Sequence, residues 1–176
     1  MIGPPALTCL EAVINTADYP QWNNFCPKAI IGDSPPLSTA QMDESIPAEL
    51  KETATLGRNG CLRPGVKFQF EVKMKRDGPT TLASLEVSKL EKMERDGKKG
   101  YRVAWSFRGM PSLLMRTERV QGFVEAEEGR STEYYCWETF GGLMAYTMPN
   151  SLRRSLEDGL GRWMYTLKAR VEKGKH

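Results

Sequence analysis

The stretch VKFQFEVKM, residues 66–74, alternates strictly. Val66, Phe68, Phe70, Val72 and Met74 fall on one face, and Lys67, Gln69, Glu71 and Lys73 on the other. A side-chain period of two describes an antiparallel strand with one face in a core and the other in water. The pattern continues down the chain. After the turn RDGPT, TLASLEVSKLEKM reads as a second strand whose less regular alternation predicts a bulge. The hairpin turn ERDGKKG leads to YRVAWSFRG, with Val103, Trp105 and Phe107 alternating. PSLLMRTERVQGFVEA reads as a fourth strand and TEYYCWETFGGLMAYTM as a fifth.

The period then changes. From 150 to 172, Leu152, Leu156, Leu160, Trp163, Met164, Leu167 and Val171 recur at spacings of three and four. They form the apolar stripe of a long helix, with Asn150 or Ser151 as its cap. Gly159 and Gly161 each cost such a helix about 1 kcal/mol relative to alanine. A helix accepts that cost where its backbone comes close to something or where space is kept.

Ahead of the meander, Leu7, Leu10, Val13 and Ile14 predict a first short helix, which Asp18-Tyr19-Pro20 ends. A second helical turn follows through residues 21–25, and KAIIG is a short strand. Residues 33–65 read as a long loop, either a lid over a cavity or a plain insertion, with one or two helical turns in SIPAELKET. The sum is one α+β domain over residues 1–176, a curved antiparallel sheet with a long C-terminal α-helix across one face.

Composition removes several functions. With 25 Lys and Arg against 22 Asp and Glu, net charge is +3, and the basic residues are scattered rather than set in a stripe. Nucleic-acid binding is therefore not expected. No apolar run reaches the ~20 residues of a membrane span, and the N-terminus lacks a secretory signal, so the expected location is cytoplasmic. The four cysteines, Cys9, Cys26, Cys61 and Cys136, form no CxxC pair and are expected as reduced, partly buried thiols. The single histidine is His176, which excludes histidine-based triads and His-ligated metal from a folded core. No glycine-rich nucleotide loop is present. Neither a metal nor a cofactor is expected.

The order of elements, with YPQWN, LRPGVKFQFEV, RVAWSFRG, RTERV, STEYYCWETFGGLMA and LGRWMYTLKARVE in sequence, resembles the START-like, SRPBCC or Bet v 1-like helix-grip superfamily over about residues 4–172. Within it the chain is most similar to the polyketide cyclase/dehydrase and lipid-transport branch. The resemblance implies a sheet gripping the long helix around an apolar pocket. It implies a hydrophobic small-molecule partner (a polyketide, aromatic or lipid-like compound) and a cofactor-free lyase-type cyclisation or dehydration in secondary metabolism. A carrier for a lipid, quinone or other apolar metabolite is the alternative. The fold normally opens with a strand ahead of the first helix, and here only MIGP precedes it. That strand is expected to be short or missing, leaving a sheet edge through which a homodimer can form.

Alternation also selects candidate site residues. If Glu133 points to water beside its turn, then Tyr134, Cys136, Glu138 and Phe140 point inward and Tyr135, Trp137 and Thr139 outward. On the preceding strand Thr117, Arg119, Gln121 and Phe123 point inward. Arg119 and Glu138 are thus the expected buried pair, either a proton-transfer device or a cross-strand pair that sets the register. Inside a pocket with no other charge, they favour an enzyme; outside, or fully paired with neighbours, a carrier. The expected roles are Glu138 as base, with Arg119 and Tyr134 stabilising an enolate oxygen. Trp22, Asn24, Phe68, Phe70, Trp105, Phe107, Met110, Met115, Trp163 and Met164 are the expected ligand-lining residues. Tyr101, Tyr146 and Tyr165 are further candidate donors.

Overall fold

A computed structural model describes residues 1–32, 46–51 and 60–173. The elements run α1 (Ala6–Ile14), a 3-10 turn (Thr16–Asp18), α2 (Tyr19–Trp22), β1 (Lys28–Ile31), α3 (Ala48–Lys51), β2 (Lys67–Val72), β3 (Thr81–Arg95), β4 (Lys98–Phe107), β5 (Arg116–Ala126), β6 (Ser131–Gly141), α4 (Leu143–Tyr146) and α5 (Asn150–Lys173). The six strands form one antiparallel sheet in sequence order, β1 to β6. The expected bulge in β3 falls between Val87 and Lys89. It restores the phase, so that Val87 and Leu90 are both buried.

Three local readings are corrected. Pro20 does not end a helix; it stands in the first turn of α2, where its missing N–H costs nothing. The fourth strand begins only at Arg116, because the N–H groups of Leu114 and Met115 turn back onto the Pro111 carbonyl. The fifth ends at Gly141: Gly142 takes φ +86°, and one helical turn, α4, follows.

The sheet curls around α5. Gly159, Arg162, Trp163, Leu167 and Val171 are the buried residues of that helix. α1 packs its buried face, Cys9, Leu10, Val13 and Ile14, into the same core. The opening strand is reduced to one bridge, in which Ile2 exchanges backbone hydrogen bonds of 2.8 Å with Thr132. Beyond that bridge β6 has no further strand on that side among the described residues. The expected lid falls mostly on 33–45 and 52–59, outside the described residues. Its described remainder is core: Ile46, Leu50, Cys61 and Leu62 are buried, and Leu62 donates its N–H to the Ile14 carbonyl at 2.8 Å.

A candidate ligand pocket with a buried ion pair

The space between sheet and helix is divided. Toward α1 and α2 it is filled by an aromatic cluster. Tyr19, fully buried, meets Trp22, Phe70 and Trp163 with ring centroids 5.1–5.8 Å apart. Its hydroxyl donates to the Val13 carbonyl at 2.5 Å. Trp22, Phe68 and Trp163, expected as pocket lining, belong to this filled end: Trp22 meets Tyr19 and Trp163 edge to face, Phe68 meets Phe70 and Trp105 edge to face, and Trp163 lies tilted against Phe70 and Trp105.

Toward the N-terminal half of α5 the interior stays hollow. A pocket of about 350 Å³ is lined by Phe70, Trp105, Phe107 and Met115 from the expected set. Leu152 and Leu156 of α5, Met148 before it, and Phe25 from the turn after α2 complete the walls. The volume is at the small end of what ligand sites use. Met110 and Met164 are exposed and do not line it. Asn24 lies in a separate polar groove beside Lys73, Arg76 and Arg162. Its neighbour Asn23 ties the turn, its side-chain oxygen accepting from the N–H groups of Phe25 and Cys26 at 3.2 and 2.8 Å.

Arg119 and Glu138 both line the hollow end. They are directly opposed across β5 and β6, with Arg119 Nε and Nη2 donating to Glu138 Oε2 at 3.2 and 2.8 Å. Their side chains are 8% and 12% exposed, and neither has another ion-pair partner among the described residues. Burial is the largest influence on Arg119 and works against its charge, yet the Glu138 carboxylate together with Cys26 and Cys136 outweighs it, and the pKa of the guanidinium is raised. Two guanidiniums, those of Arg119 and Arg162, each lie 5.4 Å from the centroid of the Phe25 ring. Arg162, a buried residue that the pattern did not single out, donates to Asp158 and to the carbonyls of Asn24, Lys73 and Met74. It thereby clamps α5 to the turn that carries Phe25.

Tyr134 points inward but toward the filled end. Its hydroxyl donates to Gln121 Oε1 at 2.6 Å, it does not line the pocket, and burial foremost pushes its pKa well above the usual tyrosine range. The pocket's free hydroxyl belongs instead to Thr117, which lines it and has no hydrogen-bond partner among the described residues. Thr117 was legible as inward-facing, two positions before Arg119. Tyr101 is buried outside the pocket, and Tyr146 and Tyr165 are exposed in grooves beside α5.

All four cysteines are free. Burial pushes the thiols of Cys26 and Cys61 up to about 12 and that of Cys136 up to about 11, from an ordinary 9.0. A thiol reagent applied at pH 8 is expected to label Cys26 and Cys61, both buried, only after denaturation, and the half-buried Cys136 more slowly than a free thiol. Because the native pKa values are raised, this part of the stability is complete below pH 9 and is lost as pH rises toward 12. Labelling of the native protein at the rate of free cysteine refutes the burial. Among the described residues, no group of three or more His, Cys, Asp or Glu side chains is placed to hold a metal, and no helix is long and apolar enough to cross a membrane.

No family model matches the sequence. The oxopyrrolidines biosynthesis cluster protein O of Penicillium oxalicum is 28% identical over 161 residues, 84% of this chain and 71% of the relative. The crystal structure of hypothetical protein jhp0584 from Helicobacter pylori matches with a TM-score of 0.61 at 12% identity, over 97% of this chain and 83% of that one. Ara h 8.0201 matches with a TM-score of 0.57, also at 12% identity, over 98% and 93%. Ara h 8 is Bet v 1-like, and the shared architecture is a curled six-stranded antiparallel sheet with short N-terminal helices and a long C-terminal helix. The chain has the Bet v 1-like, START-like helix-grip fold, its interior filled at one end and hollow at the other.

Proposed function

We propose that the protein binds a small, uncharged, largely apolar molecule of polyketide or aromatic type in the 350 Å³ pocket and moves a proton on it, with Glu138 as base. The observation that carries this reading is the divided use of the Glu138 carboxylate. Oε2 takes both Arg119 donors, whereas Oε1 has no hydrogen-bond partner among the described residues, on a side chain that lines the pocket. Arg119 then acts through Glu138, as a positioning residue that holds the carboxylate in one orientation. The pair neutralises itself, so an anionic ligand gains nothing from it.

The proton on a carbon next to a carbonyl passes to Glu138 Oε1. The resulting enolate attacks a second carbonyl carbon of the same molecule, a carbon–carbon bond forms, and the new alkoxide takes the proton back. Loss of that hydroxyl with another α-proton releases water and leaves a double bond. Atoms and electrons balance without an oxidant or group donor. Thr117 can donate to the developing enolate oxygen, and the apolar walls favour the folded, near-attack shape. The likeness to a protein of an oxopyrrolidines biosynthesis cluster supports a place in small-molecule biosynthesis.

The test uses β-tetralone, a neutral bicyclic ketone, in deuterium oxide, with exchange of its α-protons followed by NMR. The protein is expected to accelerate exchange, and Glu138→Gln to lose on the order of 100-fold or more of that acceleration. The variant should still bind β-naphthol, read by tryptophan fluorescence. A wild-type protein that catalyses no exchange overturns the catalytic reading. A second reading, a non-catalytic carrier for an apolar metabolite, is favoured by the register, since Arg119 and Glu138 are direct cross-strand partners. It is selected if β-naphthol binds wild type and Glu138→Gln alike and neither exchanges the ketone.

A further inference from the structure

Six of the exposed large apolar side chains fall on two adjoining segments. On the β4–β5 loop Met110, Leu113 and Leu114 are exposed, and on α4 after β6 Leu143, Met144 and Tyr146. Leu113, Leu143 and Tyr146 are 74%, 61% and 90% exposed. The two segments are braced by backbone: Leu143 N–H donates to the Leu113 carbonyl at 3.1 Å and Met144 N–H to the Leu114 carbonyl at 2.9 Å. A Cβ at Gly142 would lie 2.7 Å from the Leu114 oxygen, so only glycine permits the approach. The platform is therefore built, and it holds large apolar groups out in water. An apolar patch of this kind on a folded chain marks an interaction surface.

The charge around it identifies the partner. Arg116, whose guanidinium lies by Gly141, and Arg153, which donates to the Ala145 carbonyl at 3.4 Å, flank the platform, and neither they nor the exposed Arg154 next in sequence forms an ion pair among the described residues. A second copy docked on the same face would set these cations against their own kind, whereas an anionic surface matches them. The protruding groups stand on a turn and a single helical turn, a presentation suited to shallow insertion into a soft surface. A groove of about 590 Å³ runs from Tyr146 and Ala145 inward to Glu138, Phe140, Met148 and Leu156, which also line the pocket.

We propose that this platform docks on an anionic membrane surface. Leu113, Leu143 and Tyr146 enter the headgroup region, Arg116, Arg153 and Arg154 face lipid phosphates and carboxylates, and an apolar ligand passes between bilayer and pocket along the groove. The docking does not depend on the reaction proposed above. A shallow apolar insertion joined to a basic rim gives reversible, salt-sensitive attachment.

The test is co-sedimentation of the full chain with phosphatidylcholine vesicles, with and without phosphatidylserine. Wild type is expected to bind the serine-containing vesicles and to lose binding as salt rises. Leu113→Asp with Leu143→Asp should weaken binding at least tenfold, and each of Arg116→Gln, Arg153→Gln and Arg154→Gln roughly fivefold. These side chains are exposed, and unchanged thermal unfolding checks that the variants fold. Failure of wild type to bind, or binding that neither set of variants weakens, overturns the proposal. So does sedimentation equilibrium showing a dimer that the leucine variants dissociate while wild type ignores vesicles. An acidic protein as partner is the outcome if polyglutamate competes wild type off serine-containing vesicles and those vesicles bind the leucine variants as well as wild type, which also overturns it.

Discussion

Replacing Arg119 by methionine is expected to lower the free energy of unfolding by about 3–5 kcal/mol, and adding Glu138→Leu to restore most of that loss. The asymmetry follows from burial. Both side chains are almost out of water, at 8% and 12% exposure, and the Glu138 oxygen that accepts from Arg119 has no other donor among the described residues. Without the guanidinium an ionised carboxylate is left in an apolar wall beside Phe140, Met148 and Leu156. Removing both charges leaves a surface that matches the rest of the pocket, and buried pairs exchanged for apolar residues are often no less stable for it. Urea unfolding of the two single variants, the double variant and wild type gives the cycle. A loss below about 1 kcal/mol for Arg119→Met would mean that the pair behaves as a surface ion pair. If the double variant is as stable as wild type but no longer exchanges β-tetralone protons, the pair is retained for what it does to a ligand.

The inward placement of this pair was legible because a strand offers only two faces. Once Glu133 was set outward, Glu138 followed inward, and Phe123 placed Arg119 on the matching face. The register then made them partners. The outer set followed from the same rule: Tyr135 lies across Gly122, where a Cβ would come within 1.8 Å of its ring, and Trp137 stacks on it at 5.1 Å. What alternation does not carry is where a curled sheet stays hollow. Phe68 and Phe70 share a face of β2, yet Phe68 packs against Trp105 in the filled end and Phe70 reaches the pocket. That outcome depends on how Trp22 and Trp163 fill the space, a three-dimensional packing result. Leu152 and Leu156 belong to the helical stripe, so this part of the wall is legible in the spacing of α5. Phe25 carried no such signal, since it follows α2 in a turn held by Asn23. Tyr134 was read on the correct face and at the wrong end, because facing inward does not say how far along the helix a side chain falls.

The two glycines of α5 are expected to respond with opposite signs. At Gly161 an added Cβ meets nothing within 4 Å, so Gly161→Ala should stabilise the protein by about 0.5–1 kcal/mol through helix propensity alone. At Gly159 an added Cβ would stand 2.2 Å from Phe25 Cε2. The ring is fully buried, lies near the guanidiniums of Arg119 and Arg162, and lines the pocket, into which it can be displaced. Gly159→Ala should therefore cost about 1–3 kcal/mol, against a propensity gain of at most ~1 kcal/mol, and should weaken β-naphthol binding as the ring moves into the cavity. Combining it with Phe25→Leu, which shortens the obstructing side chain, should recover part of both losses. Thermal unfolding and fluorescence titration of the three variants read this directly. If Gly159→Ala stabilises as Gly161→Ala does, α5 has room to move off Phe25, and the wall that sets the pocket's size is softer than its contacts imply. If it destabilises without changing binding, the ring yields away from the cavity. The opposed-sign result ties pocket size to the closeness of one helix backbone, so a larger residue at position 159 of a related chain would come with a smaller side chain at position 25.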